Sequence, residues 1–107
     1  MEQAGENRLM QRACFLLQVK PERLDEYLRA HDVWPEMREA MHAAGLRNYS
    51  MFFRPDGLLV GYLEGEDIAA SLAVLAETDI SRCWQDQMKP YFLTGESQWL
   101  AEYFFLP

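Results

Sequence analysis

Apolar and polar positions along the chain switch between short runs, alternation and a helical period, and the switches mark the elements. Arg12 to Val19 (Arg-Ala-Cys-Phe-Leu-Leu-Gln-Val) is a short apolar run that reads as a buried strand. Pro21 suits the first position of a helix. Leu24, Tyr27, Leu28 and His31 then recur at i, i+3, i+4 and i+7, one face of that helix. Pro35 breaks the pattern and opens a second helix. Met37, Ala40, Met41 and Ala44 repeat the same spacing, and Gly45 stands where a helix C-terminus needs a left-handed residue. Leu46 to Arg54 alternates, with Tyr49, Met51 and Phe53 on one side. Pro55-Asp56-Gly57 is a turn signal, and Leu58 to Glu64 reads as the returning strand of a hairpin. Ile68, Leu72 and Leu75 mark a short helix. Thr78-Asp79 starts another, with Ile80, Cys83, Trp84, Gln87, Met88 and Tyr91 along one side. Thr94-Gly95-Glu96-Ser97 is a loop, and Trp99 to Leu106 reads as the last strand.

This order is βαββαβ, the α+β arrangement of a ferredoxin-like fold with a four-stranded antiparallel sheet. Residues 1–11 read as a flexible leader and residues 12–107 as a single domain. Phe15-Leu16-Leu17, Met51-Phe52-Phe53, Leu58-Leu59-Val60 and Phe104-Phe105-Leu106 place apolar groups on both faces of such a sheet. Helices cover only one face, and a large exposed apolar face is usually an interface. The expectation is a two-fold homodimer packed through the open face.

Composition narrows the function classes. The 107 residues carry 10 basic and 17 acidic side chains, a net charge of −7, and no basic cluster. Nucleic acid and anionic membrane are therefore unfavourable partners. No apolar run is long enough for a membrane helix, and the N-terminus lacks the layout of a signal peptide. Cys14 and Cys83 read as free buried thiols, which suits the cytoplasm. No Gly-rich phosphate loop is present, and no Cys/His cluster has metal spacing, so neither cofactor nor metal is expected.

The stretch from Tyr27 to Glu36 carries the candidate chemistry. Tyr27 and His31 are i, i+4 and share a helix face, with a proline break just beyond. A phenol beside an imidazole can bind hydroxyls and move protons near neutral pH. Spacing alone suits a hydrogen-bonded histidine closing a helix better than a catalytic one. His42 has no aromatic partner at helical spacing and reads as a surface residue. Trp34, Tyr49, Tyr62, Trp84, Tyr91, Trp99 and Tyr103 supply flat apolar faces with polar handles. Most of these belong in a core, but the same features match sugar rings, whose C–H patches are bordered by hydroxyls.

Phe15-Leu16-Leu17-Gln18-Val19, Tyr27 with His31, Trp34-Pro35-Glu36, Gly45 with Asn48-Tyr49-Ser50, Thr78-Asp79 with Trp84, and the closing Phe104-Phe105-Leu106-Pro107 together resemble the L-rhamnose mutarotase family. The likeness runs in order from about Arg12 to Pro107. It implies a dimeric α+β barrel that interconverts α and β anomers of L-rhamnose or a related deoxy-sugar without a cofactor. It implies that His31 is the proton donor and that Tyr27, Tyr49 and Trp84 contact the sugar. The family commonly has a second tryptophan after the first; here that position is Gln85. The second proton acceptor is open between Asp32, Glu36 and water. The same architecture also houses cofactor-independent monooxygenases and small-ligand-binding proteins, which are the alternative reading, since fold does not fix function.

Overall fold

A computed structural model describes residues 10–30 and 34–107. Four strands, β1 (Gln11–Gln18), β2 (Arg47–Phe53), β3 (Leu58–Gly65) and β4 (Gln98–Leu100), form one sheet in the order β2-β3-β1-β4. Every pairing is antiparallel. A 3₁₀ turn over Pro21–Arg23 leads into α1 (Leu24–Ala30), and α2 (Pro35–Ala44) follows. Helices α3 (Ile68–Ala76) and α4 (Asp79–Met88) lie between β3 and β4 in the chain.

The helix ends follow local chemistry. Pro35 occupies the first turn of α2, where its missing N–H has no intrahelical partner to lose. Gly45 ends that helix at φ 107°, and its N–H reaches the His42 carbonyl at 3.0 Å. Asp67 caps α3 by accepting from the Ala70 N–H at 3.1 Å, and Thr78 caps α4 by accepting from Ser81 at 3.2 Å. The hairpin closes through Arg54–Gly57, with the Gly57 N–H on the Arg54 carbonyl at 2.8 Å.

The sheet separates two unlike faces. Phe15, Val19, Leu59 and Leu63 point toward the helices and bury with Leu24, Tyr27, Met37, Leu46, Ile68, Leu75, Trp84 and Met88. Gly61 and Gly65 continue that face of β3. The other face carries Cys14, Leu16, Leu58, Val60 and Tyr62, all half-buried, with exposed Phe52 and Leu100. No helix among the described residues is long and apolar enough to cross a membrane.

Four expectations change. Residues 1–9 lie outside the described residues, and β1 already begins at Gln11, inside the expected leader. The Gln11 side-chain oxygen accepts from the Ile68 N–H at 2.9 Å, which ties the strand's first residue to the start of α3. The last strand is three residues rather than eight. Beyond Leu100 the chain leaves the sheet: Glu102 pairs with Arg12, and the Phe105 ring lies 3.4 Å from the Arg12 guanidinium. Tyr103 is 98% exposed and Leu106 77% exposed, so apolarity alone does not make this segment a strand. On α4 the buried line is Ser81, Trp84 and Met88, whereas Cys83 faces out and Gln87 is exposed. Cys83 is thus an exposed free thiol and Cys14 a half-buried one, not two buried thiols.

Candidate functional site

A cavity of about 770 Å³ opens between the helices and the sheet face that carries Phe15 and Leu63. That is within the usual size range of small-molecule sites, roughly 300–1,000 Å³. Tyr27 of α1, Tyr49 of β2 and Trp84 of α4 all line it, so three of the four sequence-predicted site residues meet in one place. The fourth, His31, lies outside the described residues, as does Asp32.

Each wall has a local cause. Tyr27 is 3% exposed, and its ring meets Tyr91 and Phe92 edge-on at 5.7 and 5.5 Å. Phe92 is held there by the bridge from Val19, and the Tyr91 carbonyl accepts from the Lys20 N–H at 2.8 Å. Trp84 sits on the buried line of α4 with the Trp34 ring edge-on to it, 5.0 Å away at 87°. Tyr49 stands edge-on to Phe15 at 6.3 Å, and Phe15 leans on Trp99 at 5.0 Å. The cavity is therefore built from rings that fix one another, each edge-on or tilted as aromatic quadrupoles prefer.

Partial desolvation in the cavity sets the protonation of the two phenols, Tyr27 buried and Tyr49 more than a third exposed. Burial first, and the neighbouring Tyr49 second, push Tyr27 far above the ordinary tyrosine value of 10.0. Burial pushes Tyr49 up to about 12. Both are neutral hydroxyls at physiological pH, able to donate and accept hydrogen bonds.

The structure adds lining residues that periodicity did not reveal. Arg38 and His42 of α2 and Gln85, Asp86 and Lys89 at the end of α4 border the same cavity. His42 is exposed as expected, yet its exposure is beside the site. For Arg38, His42 and Lys89 the only signal was i, i+4 spacing, which any solvated helix face also shows; Gln85 was marked by the resemblance as the residue after Trp84. Among the described residues no group of three or more His, Cys, Asp or Glu side chains could hold a metal ion.

The fold and the site together define a ferredoxin-like α+β domain with an aromatic, polar-rimmed cavity between sheet and helices. Comparison with known proteins makes the assignment specific. The family profile for L-rhamnose mutarotase matches residues 12–103. The L-rhamnose mutarotase of Burkholderia ambifaria is 36% identical over 87 residues, 80% of this chain and 84% of that protein. The chain belongs to the L-rhamnose mutarotase family. The structure of L-rhamnose mutarotase FA22100 from Formosa agariphila superposes with a TM-score of 0.77 at 21% identity, covering 91% of this chain and 99% of that one. An antibiotic biosynthesis monooxygenase superposes at 0.63 with 17% identity over 91% of this chain and 99% of its own. That second likeness is one of fold alone, and the monooxygenase alternative gains nothing further from it.

Proposed function

We propose that this protein interconverts the α and β anomers of L-rhamnose by acid–base ring opening. The observation that carries the reading is the convergence of Tyr27, Tyr49 and Trp84, from three different elements, on one cavity of monosaccharide scale. Trp84 offers a flat apolar face to the sugar's C–H patch, and the two neutral phenols offer hydrogen bonds to its hydroxyls.

Mutarotation removes the proton of the anomeric hydroxyl and protonates the ring oxygen. The C1–O5 bond breaks, the open-chain aldehyde rotates about C1–C2, and the reverse steps close the ring. One or two positioned acid–base groups supply roughly 10²–10⁴-fold, enough for a reaction that already runs in water. His31, four residues beyond Tyr27 in sequence, is the proton donor to the ring oxygen. An imidazole is the side-chain type suited to moving protons near neutral pH, whereas the two phenols are held protonated there. Asp32, Glu36 or a water takes the anomeric proton.

The protein works as a homodimer. On the open sheet face Leu16 and Val60 are cross-strand partners, and Val60 in turn faces Phe52. This apolar ladder, with Leu58, Tyr62 and Leu100 beside it, suits a second copy of the same face. The two free thiols suit the reducing cytoplasm.

NMR exchange spectroscopy of L-rhamnose anomers, with L-fucose and D-glucose alongside, tests the activity. Acceleration of L-rhamnose exchange is the expected result. Exchange no faster than in buffer for all three sugars would overturn it.

A further inference from the structure

The ten basic side chains are spread along the sequence without a cluster, and the fold brings three of them to one place. Arg38, Arg47 and Lys89 border the cavity, with His42 among them. Of the acidic residues, Asp86 alone borders it among the described residues. The chain as a whole carries a net charge of −7, so the cavity mouth has the opposite sign to the molecule around it. Charges at a cleft with low-dielectric walls focus their field into it, and these walls are aromatic rings and aliphatic side chains.

The cations stand on two packed elements. Arg38 and His42 are i, i+4 on α2. Arg47 Nη1 donates to the carbonyls of His42 and Leu46, both at 2.8 Å, which holds the guanidinium at the C-terminal end of that helix. Lys89 follows the last residue of α4, which packs against α2. Arg12, Arg23, Arg54 and Arg82, away from the cavity, each pair with a carboxylate. Arg47 and Lys89 form no ion pair among the described residues. Backbone carbonyls hold Arg47 in place without neutralising it. Both side chains belong to exposed residues, so water solvates them until an anion takes its place.

We propose that this cavity also accepts aldoses that carry an anionic group, a carboxylate or a phosphate, with Arg47 and Lys89 receiving the anion. The proposal rests on the mutarotase reading for the reaction and on the charged lining alone for the ligand. The anion is not on the anomeric oxygen, because ring opening starts from a free hydroxyl there. A uronate or an aldose 6-phosphate leaves that hydroxyl free. Its anomers interconvert by the same steps as a neutral sugar: proton loss at the anomeric hydroxyl, cleavage of C1–O5, protonation of O5, rotation and closure. A guanidinium matches the paired oxygens of a carboxylate or a phosphate, and an ammonium adds a point charge.

Binding is measured first, by NMR titration of D-glucose, D-glucuronate and D-glucose 6-phosphate, which differ only at C6. The charged sugars are expected to bind about tenfold more tightly than glucose, the worth of one charge-assisted hydrogen bond, and the difference should shrink as salt is raised. Lys89→Gln and Arg47→Gln should each lower the ratio of charged to neutral affinity, and Arg47→Lys should keep part of it. Arg82→Gln removes a cation of α4 that does not border the cavity and should leave the ratio alone. If Arg47→Gln fails to fold, Lys89→Gln carries the test, because that side chain is exposed. Preference for glucuronate alone assigns a carboxylate, and preference for the 6-phosphate alone assigns a phosphate. Equal binding of charged and neutral sugars, or a preference that Lys89→Gln and Arg47→Gln leave intact, overturns the proposal. Exchange spectroscopy of the same sugars and L-rhamnose then reads turnover. Charged sugars that bind with this preference to a protein that accelerates no anomer exchange would support the anion site and overturn the mutarotase reading instead.

Discussion

The Phe15 ring lies directly over Gly61, its cross-strand partner, and a Cβ at position 61 would fall 2.2 Å from the ring. Because Phe15 also contacts Tyr49 and Trp99, this close approach seats one wall of the cavity. Gly61→Ala must push the ring away. We expect a loss of about 1–3 kcal/mol in stability, the usual range for overpacking a core, together with weaker sugar binding. Adding Phe15→Leu should recover part of the stability, since the two sites are in contact and their effects do not add. Denaturant melts of the two single variants and the double variant check this. Strict additivity would show that the ring and the glycine are not coupled.

Alkaline stability follows from the buried Tyr27 phenol above all, with a smaller part from Tyr49, which is 38% exposed. The folded state holds the Tyr27 and Tyr49 protons more tightly than the unfolded chain does. Their contribution is whole below the ordinary value of 10.0 and is lost as pH rises from there through the folded-state values, about 12 for Tyr49. Urea midpoints should therefore fall with pH above about 10, and the fall should be shallower in Tyr27→Phe. Identical pH slopes in the two proteins would contradict the burial of this phenol.

The oligomeric state has a sharp test in the apolar ladder of the open face. Val60 stands between Leu16 and Phe52 across the strands, so a charge there meets apolar groups on both sides. Light scattering at micromolar concentration should give twice the chain mass of 12.5 kDa for the wild type. Val60→Glu should shift it toward the single chain by placing an unpaired charge in the interface. A wild type of single-chain mass would remove the dimer.

Much of the fold was legible because its boundaries rest on local chemistry. Pro35, Gly45 and Thr78 act through their own backbone or side chain, so their neighbours in sequence suffice to read them. The last strand was not legible in this way. Trp99 to Leu106 is as apolar as β1, but only Gln98–Leu100 finds a partner, along Cys14–Leu16. Apolarity shows what a segment can bury, and the ladder decides where it pairs. The site divides likewise. Tyr27 and Tyr49 lie on periodic faces and were readable, whereas the register shift of β2 against β3 between Arg47 and Ser50 is a relation between two strands and left no local mark. His42, Gln85 and Lys89 border the cavity only because α2 and α4 pack as they do.

The strongest test of the mechanism concerns His31. Tyr27 and Tyr49 stay protonated near neutral pH, so the cavity's phenols can orient the sugar without carrying protons through the cycle. In the proposed mechanism the proton for the ring oxygen comes from an imidazole, the side-chain type that gains and loses protons near neutral pH. His31→Asn keeps the size and part of the hydrogen bonding and removes the titration. Anomer exchange of L-rhamnose should fall on the order of 10²-fold or more, with little change in Tm. Tyr27→Phe should behave differently, weakening sugar binding by about 1 kcal/mol, the net worth of one hydrogen bond, and sparing the turnover of bound sugar. Magnetisation-transfer rates at several sugar concentrations separate the two effects. Wild-type exchange in His31→Asn would remove the histidine from the mechanism, and a protein that no longer folds would give it a structural role instead.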